Sequence, residues 1–354
     1  MKHQILIIVP SFKILGGVAN HYMGLAPYWK YNVQYCTYGK RPKIPAVFCL
    51  LPDVLVYIFK LIFSKIDVVI VNPSLRKYQL RRDAVYLILA RLFRKKIVTF
   101  IHGWDYSVAE QIRENPCWFK RTYGKSLFIY VLCSDFKKTL DELNMSAPVI
   151  LTTTKVADSL VESINNKRNG TIKQILFLAR VEKNKGIITT LDTFVLLKQN
   201  NPHLKLSVCG TGAALDEAKT YTEQLGLTDD VIFYGNVSGE QLITQFKTSD
   251  IYILPTTHGE GMATSVLEAM AFGLPIISRP VGGVKDFFIN GEMGYLLESL
   301  NPIDYTNAIQ SLIDNPPLTS KISQTNETFA KNHFLASKVT EKFENDITIF
   351  LNKL

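Results

Sequence analysis

The chain has 354 residues, of which 47% are apolar, and carries a net charge of +9. That length exceeds the size at which one hydrophobic core stops growing, so two domains are expected. Five scattered cysteines (Cys36, Cys49, Cys117, Cys133, Cys209) with no C-x-x-C pair argue against a disulfide framework and a zinc site, and fit a reducing compartment.

The start, MKHQILIIVPSF, holds an apolar run of five before Pro10, too short for a signal peptide. The segment 46–63 is broken by Pro52, Asp53 and Lys60 and is a poor membrane span. A cytoplasmic protein is expected. Residues 1–166 hold 23 Lys and Arg against 11 Asp and Glu, net +12, whereas residues 167–354 are net −3. This asymmetry points to an anionic partner on the first half, a membrane surface or a nucleic acid. No nucleic-acid module signature accompanies it, so nucleic acid is set aside.

Short β-type runs alternate with helical patterns, as in a parallel sheet built from βαβ units. In the first half the predicted strands are 5–9, 33–37, 68–72, 97–101, 128–133 and 149–151. The polar stretch 163–173 reads as a linker between domains 1–162 and 174–334. In the second half strands are predicted at 174–179, 205–209, 231–234, 251–254, 276–278 and 294–297, and helices near 186–199, 213–225, 239–247, 264–272 and 302–313. Residues 335–354 carry Val339, Phe343, Ile347 and Phe350 at helical spacing. The expectation is α/β: two Rossmann-like, doubly wound domains facing a central cleft, with ligands at the carboxyl ends of the strands.

Several loops there carry chemistry. Gly16-Gly17 follows the first strand and allows close approach of a phosphate or sugar, or simply a tight turn. His102 ends the fourth predicted strand, where it could donate to a substrate oxygen or be a packed residue. FLARVEKNKG puts Arg180 and Lys185 before a helix, either as a diphosphate clamp or as solvated charges. VCGTGAAL supplies Gly210 and Gly212 but lacks the third glycine of a dinucleotide fingerprint. In HGEGMATSVLEAMAFG, Ser265 and Glu268 fit a capping box, Gly273 fits a left-handed stop, and Glu260 is left unexplained; His258 is a weaker candidate. No D-x-D, H-E-x-x-H or Walker sequence is present, so no metal is expected.

EGMATSVLEAMAFGLPII, with Glu260 and Glu268 spaced E-x7-E, resembles the nucleotide-sugar motif of the retaining glycosyltransferases of family 4, which have the GT-B fold. The resemblance continues in order through Gly16-Gly17, His102, Arg180 to Gly186, Gly210 to Gly212 and FYGNVSGEQL. It implies that Glu268 binds donor ribose, that Glu260 binds donor sugar hydroxyls, and that Gly261, Met262, Ala263, Thr264, Ser265 and Val266 offer amides to the sugar or diphosphate. It further implies that Arg180 and Lys185 neutralise the leaving diphosphate without a metal ion, and that Asn236 and Val237 meet the base. Where the family often has Asn-Gly after the last strand of the first domain, this chain reads VILTTTKVADS.

The resulting expectation is a nucleoside-diphosphate-sugar donor and a glycan or lipid-linked acceptor on the N-terminal domain, in envelope polysaccharide assembly, with helix 335–354 crossing back to that domain. The rivals are a nucleotide-sugar epimerase and a non-catalytic nucleotide-binding protein. Eight basic residues and one acid in 76–96 surround the apolar block 84–93, near the second apolar block 46–63. They are read either as a sheet-flanking helix with solvated ends or as a peripheral contact with the anionic cytoplasmic leaflet.

Overall fold

A computed structural model describes residues 3–13, 16–39, 46–162, 170–259 and 261–353. The chain divides into two compact units: Met1–Lys155 with Glu260–Met262 and Ala336–Leu354, and Val156–Gly259 with Ala263–Leu335. The break precedes the predicted linker, because the Val156 amide bonds the Phe334 carbonyl and its strand bridge to Leu335 ties it to the second unit. Linker residues 163–169 lie outside the described residues.

The first unit holds a parallel sheet of β1 (Gln4–Pro10), β2 (Asn32–Tyr38), β3 (Val68–Val71), β5 (Lys96–Phe100), β7 (Phe128–Val131) and β8 (Val149–Leu151), in the order β2-β1-β3-β5-β7-β8. A separate ladder joins β4 (Ser74–Leu75) to β6 (Gly103–Trp104). All four residues of β3, VVIV, are buried, as expected of a strand covered on both faces.

On one face, α2 (Ala46–Phe63), α3 (Lys77–Leu92) and α6 (Ser134–Asp141) share a core with α4 (Tyr106–Glu114) and α5 (Cys117–Thr122). On the other lies α1 (Gly17–Leu25), joined by the C-terminal helix Ala336–Leu351. That helix buries Ala336, Val339, Phe343 and Ile347 at spacings of three and four. Buried Glu344 accepts the amides of Lys30 and Tyr31 at 2.6 and 2.7 Å, and Tyr130 donates to Asp346 at 2.7 Å.

The second unit repeats the plan with β9 (Gln174–Leu178), β10 (Lys205–Cys209), β11 (Val231–Gly235), β12 (Ile251–Leu254), β13 (Ile276–Ser278) and β14 (Gly294–Leu296), ordered β11-β10-β9-β12-β13-β14 and parallel. Its helices are α7 (Asp158–Val161), α8 (Ile187–Asn200), α9 (Leu215–Gln224), α10 (Gly239–Thr248), α11 (Thr264–Ala271), α12 (Pro302–Ile313) and α13 (Pro316–His333), so the C-terminal helix is α14.

All twelve predicted strands are present, four with the predicted bounds and the rest with an end shifted by one or two residues. Helix α13 is an addition: Pro316 and Pro317 stand in its first turn, where no amide partner is needed, and Asn315 Oδ1 caps the Leu318 amide at 3.2 Å. The predicted stop of α11 is present too. Gly273 has φ +71°, its amide bonds Met270, and the Leu274 amide bonds Ala269, a Schellman pair.

Candidate functional site

Strand order in the second unit reverses between β9 and β12, so the loops leaving these strands diverge and open a crevice at their carboxyl ends. The loop after β9 carries Arg180 and ends in the 3₁₀ turn Lys183–Lys185. Gly186, φ +83°, starts α8, and a Cβ there would collide with the Pro255 carbonyl, so only glycine allows the two loops to meet. The Asn184 carbonyl accepts the Thr257 amide at 2.8 Å and the Thr256 hydroxyl at 3.1 Å, and Asn184 Nδ2 lies 3.4 Å from His258 Nδ1. Lys185 is buried in this junction. Arg180 is exposed and its guanidinium is held by Glu182 at 2.6 Å, a partner it must leave to meet a ligand.

Helix α11 starts opposite. Ala263 is its N-cap, and an alanine side chain makes no capping bond. The capping box read from the sequence is therefore corrected. The helix begins one residue before Ser265, whose hydroxyl meets Tyr252 Oη at 2.7 Å. Because Tyr252 donates to the Leu178 carbonyl at 3.0 Å, it accepts from Ser265, which stands inside the first turn rather than at the N-cap. The first-turn amides with their dipole form a positive end beside the Arg180 loop. Glu268 is half-buried one turn further on, while Glu260 lies outside the described residues.

Gly210 and Gly212 are demanded by the fold itself. A Cβ on Gly210 would collide with the Ala179 carbonyl, and one on Gly212 with the Val181 carbonyl. The Ala179 and Val181 amides bond Cys209 and Thr211, which laces the two loops together. Thr211 donates to Asn236 at 3.1 Å, so the Gly210–Gly212 turn and the Asn236–Val237 turn are neighbours.

In the first unit the order reverses between β1 and β3. Gly16 and Gly17 follow β1 at the start of α1, and a Cβ on either would meet nothing within 4 Å. Internal packing therefore does not require these glycines. Asn72 follows β3; its Nδ2 donates to the Ile8 carbonyl at 2.9 Å, which fixes the amide's orientation, and its Oδ1 accepts from Tyr22 at 2.8 Å. His102 Nε2 lies 3.1 Å from the same oxygen, so Nε2 carries the proton and Nδ1 is left as an acceptor.

Burial first, and neighbouring His21 second, hold the His102 pKa well below its ordinary value. The ring is neutral and cannot act as a cationic acid. His21 is buried with neither ring nitrogen bonded, and burial followed by the charge of Lys155 pushes its pKa down to about 3. Gly261 and Met262 also belong to this unit: a Cβ on Gly261 would stand 2.8 Å from Leu132 Cδ1 and 3.4 Å from the His102 carbonyl, and Met262 packs on the core that contains Leu132.

Sequence reasoning thus found the loops but missed Tyr252, Asn72, Tyr22 and His21. Asn72 alone had a signal, a polar residue ending an apolar run at a strand's carboxyl end.

Residues 160–329 match the family described as glycosyl transferases group 1. The chain is 26% identical to the uncharacterized glycosyltransferase MJ1069 of Methanocaldococcus jannaschii over 97% of this chain and 98% of that one. The chain is a glycosyltransferase. It is also 27% identical to the capsular polysaccharide biosynthesis glycosyltransferase CapM of Staphylococcus aureus, over 50% of this chain and 46% of that one. Several other curated relatives are matched over about a third to a half of their length. HepE of Anabaena, in complex with UDP, superposes with a TM-score of 0.75 at 15% identity, over 98% of this chain and 100% of that one. The transferase therefore has the GT-B fold. Among the described residues no group of three or more His, Cys, Asp or Glu could hold a metal ion, and no helix is long and apolar enough to cross a membrane.

Proposed function

We propose that this transferase is a retaining enzyme of the family 4 type, moving a sugar from a nucleoside diphosphate to an acceptor hydroxyl. The observation that carries this reading is the reversal point of the second unit, where the Arg180 loop, buried Lys185 and the N-terminal end of α11 converge. An anion there would meet backbone amides, a guanidinium released from Glu182 and an ammonium, which together do the work of a divalent ion on a leaving diphosphate.

Glu268, one turn into α11, takes the ribose hydroxyls; Asn236 and Val237 take the base; Glu260 takes the sugar. His102, neutral with Nδ1 as an acceptor, accepts a hydrogen bond from a hydroxyl rather than protonating one. The UDP held by HepE supports a nucleotide donor, and the role in CapM's name supports polysaccharide assembly; a glycan or lipid-linked acceptor and a place at the cytoplasmic face of a membrane belong to the same proposal.

Hydrolysis of UDP-, GDP- and ADP-sugars without acceptor, followed by NMR of the released anomer, tests the reading. One donor is expected to be cleaved with its anomeric configuration kept, and equally fast in EDTA. An inverted product, or a loss in EDTA that magnesium restores, overturns it.

A further inference from the structure

Helix α2 is apolar all round, yet the first unit covers only one side of it. Cys49, Asp53, Tyr57 and Leu61, at spacings of four, are buried against the sheet, and the Asp53 carboxylate accepts the Gly39 amide at 2.8 Å. The other side presents Phe48, Leu51, Leu55, Phe59, Ile62 and Phe63, each between 53% and 72% exposed. Its only other charge, Lys60, is half-buried and donates to Gln34. A helix without a polar face belongs in a core or in lipid, and this one has a core on a single side.

The neighbouring α3 packs against α2 and feeds the same core, so its outer side also faces away from the sheet. That side carries Tyr78, Val85, Ile88 and Leu92 at 40% to 72% exposure, again on one stripe. The α2 stripe alone exposes on the order of 600 Å² if a large apolar side chain presents about 150–200 Å², at or above the largest patch of an ordinary soluble monomer.

We propose that the outer faces of α2 and α3 dock this unit on an anionic lipid bilayer, with α2 lying flat in the interface. The charge around the faces selects that occupant. Lys65 follows α2, Arg76 and Lys77 open α3, Arg81 sits on its stripe, and Arg94 and Lys96 follow its end; all six are exposed and, apart from the charge contact of Arg76 with Asp105, none pairs with a carboxylate among the described residues. A second copy of the chain would set these cations against their own kind, whereas anionic headgroups meet them while the stripe enters the acyl boundary.

The sequence-based version of this contact is thereby revised. Arg82 is bound to buried Asp83 at 2.7 Å and Arg91 to the carbonyls of Arg121 and Thr122, so neither is available to lipid. The inserting element is α2, and α3 supplies the charge. The proposed membrane-linked acceptor gives the docking a purpose, but the docking itself is independent of turnover.

Flotation of the full chain with vesicles of phosphatidylcholine, alone or mixed with phosphatidylglycerol, tests it. The mixed vesicles should bind and the neutral ones bind far less, with binding weakened by salt. Leu55→Glu with Phe59→Glu should lower binding ~10-fold or more, and Arg81→Glu with Arg94→Glu likewise. Both pairs are exposed, so the melting temperature should stay near wild type, and donor hydrolysis should be unchanged. Bromine-labelled acyl chains should quench the emission of Phe59→Trp.

Equal binding to both vesicle types, binding untouched by the Glu pair, or a wild-type dimer that the Glu pair splits overturns the proposal. Vesicle binding without donor hydrolysis would leave the docking standing and remove only the transferase reading.

Discussion

His21 makes the stability of the first unit depend on pH in a direction that can be worked out. Its ring lies among Tyr22, Phe100, His102 and Phe343, unbonded at both nitrogens, and its pKa is about 3 in the fold. In the unfolded chain it returns to 6.5. Below pH 6.5 the unfolded state therefore binds a proton that the folded state refuses, so stability is complete above that value and falls as the pH drops toward 3. At pH 5 the gap is about 1.5 pH units, worth about 2 kcal/mol at 1.36 kcal/mol per unit.

His21→Phe keeps the ring and removes the titration. Urea melts followed by tryptophan emission isolate this unit, because all three tryptophans (Trp29, Trp104 and Trp118) belong to it. Between pH 7.5 and 5 the wild type should lose about 2 kcal/mol more than the variant. At pH 7.5 the variant should match or exceed the wild type, since two unsatisfied polar atoms are gone. Parallel stability curves would refute the argument, because they would mean that the imidazole is solvated or paired when folded.

His102 should contribute no limb near pH 6.5 to the rate profile of donor hydrolysis; a limb that vanishes in His102→Gln would show that the ring does titrate there. Arg180→Ala should slow turnover by ~10²-fold, the usual loss for one electrostatic donor, while melting stays within about 0.5 kcal/mol because the guanidinium is exposed; an unchanged rate removes it from the clamp. Gly16→Ala should fold like the wild type but raise the donor KM, whereas Gly210→Ala should unfold early through its collision with Ala179; the opposite pattern would reverse the two roles. Glu268→Gln should weaken nucleotide binding in calorimetry by about 1–2 kcal/mol, the gap between charged and neutral hydrogen bonds; equal affinity would leave Glu268 with a packing role.

The strands were legible because a strand buried on both faces must be a short apolar run between turn residues, and VVIV at Val68–Val71 is nothing else. The loops of the site were legible for the related reason that a reversal point puts glycine and charge just after such runs. What stayed hidden depended on partners distant in sequence. Ser265 and Glu268 satisfy the local rule for a capping box, yet the helix starts one residue earlier, with Ala263 at the N-cap, and the Ser265 hydroxyl turns to Tyr252, 13 residues away. No helix is predicted over 316–333, although at a helix start the fixed φ and missing amide of Pro316 and Pro317 cost nothing.

Gly210 and Gly212 read as two glycines of an incomplete dinucleotide fingerprint, and no local rule could show that they also answer to the carbonyls of Ala179 and Val181. Helix α2 is the extreme case. Periodicity reports a buried side through its contrast with a polar one, and where both sides are apolar no contrast exists. The segment 46–63 therefore read only as an apolar block too broken to span a membrane, and only the fold reveals that Tyr57 is buried while Phe59, two residues on, is 61% exposed. Among the described residues nothing covers Phe59, and the exposed cations flanking α2 and α3 set the charge that the proposed lipid partner would carry.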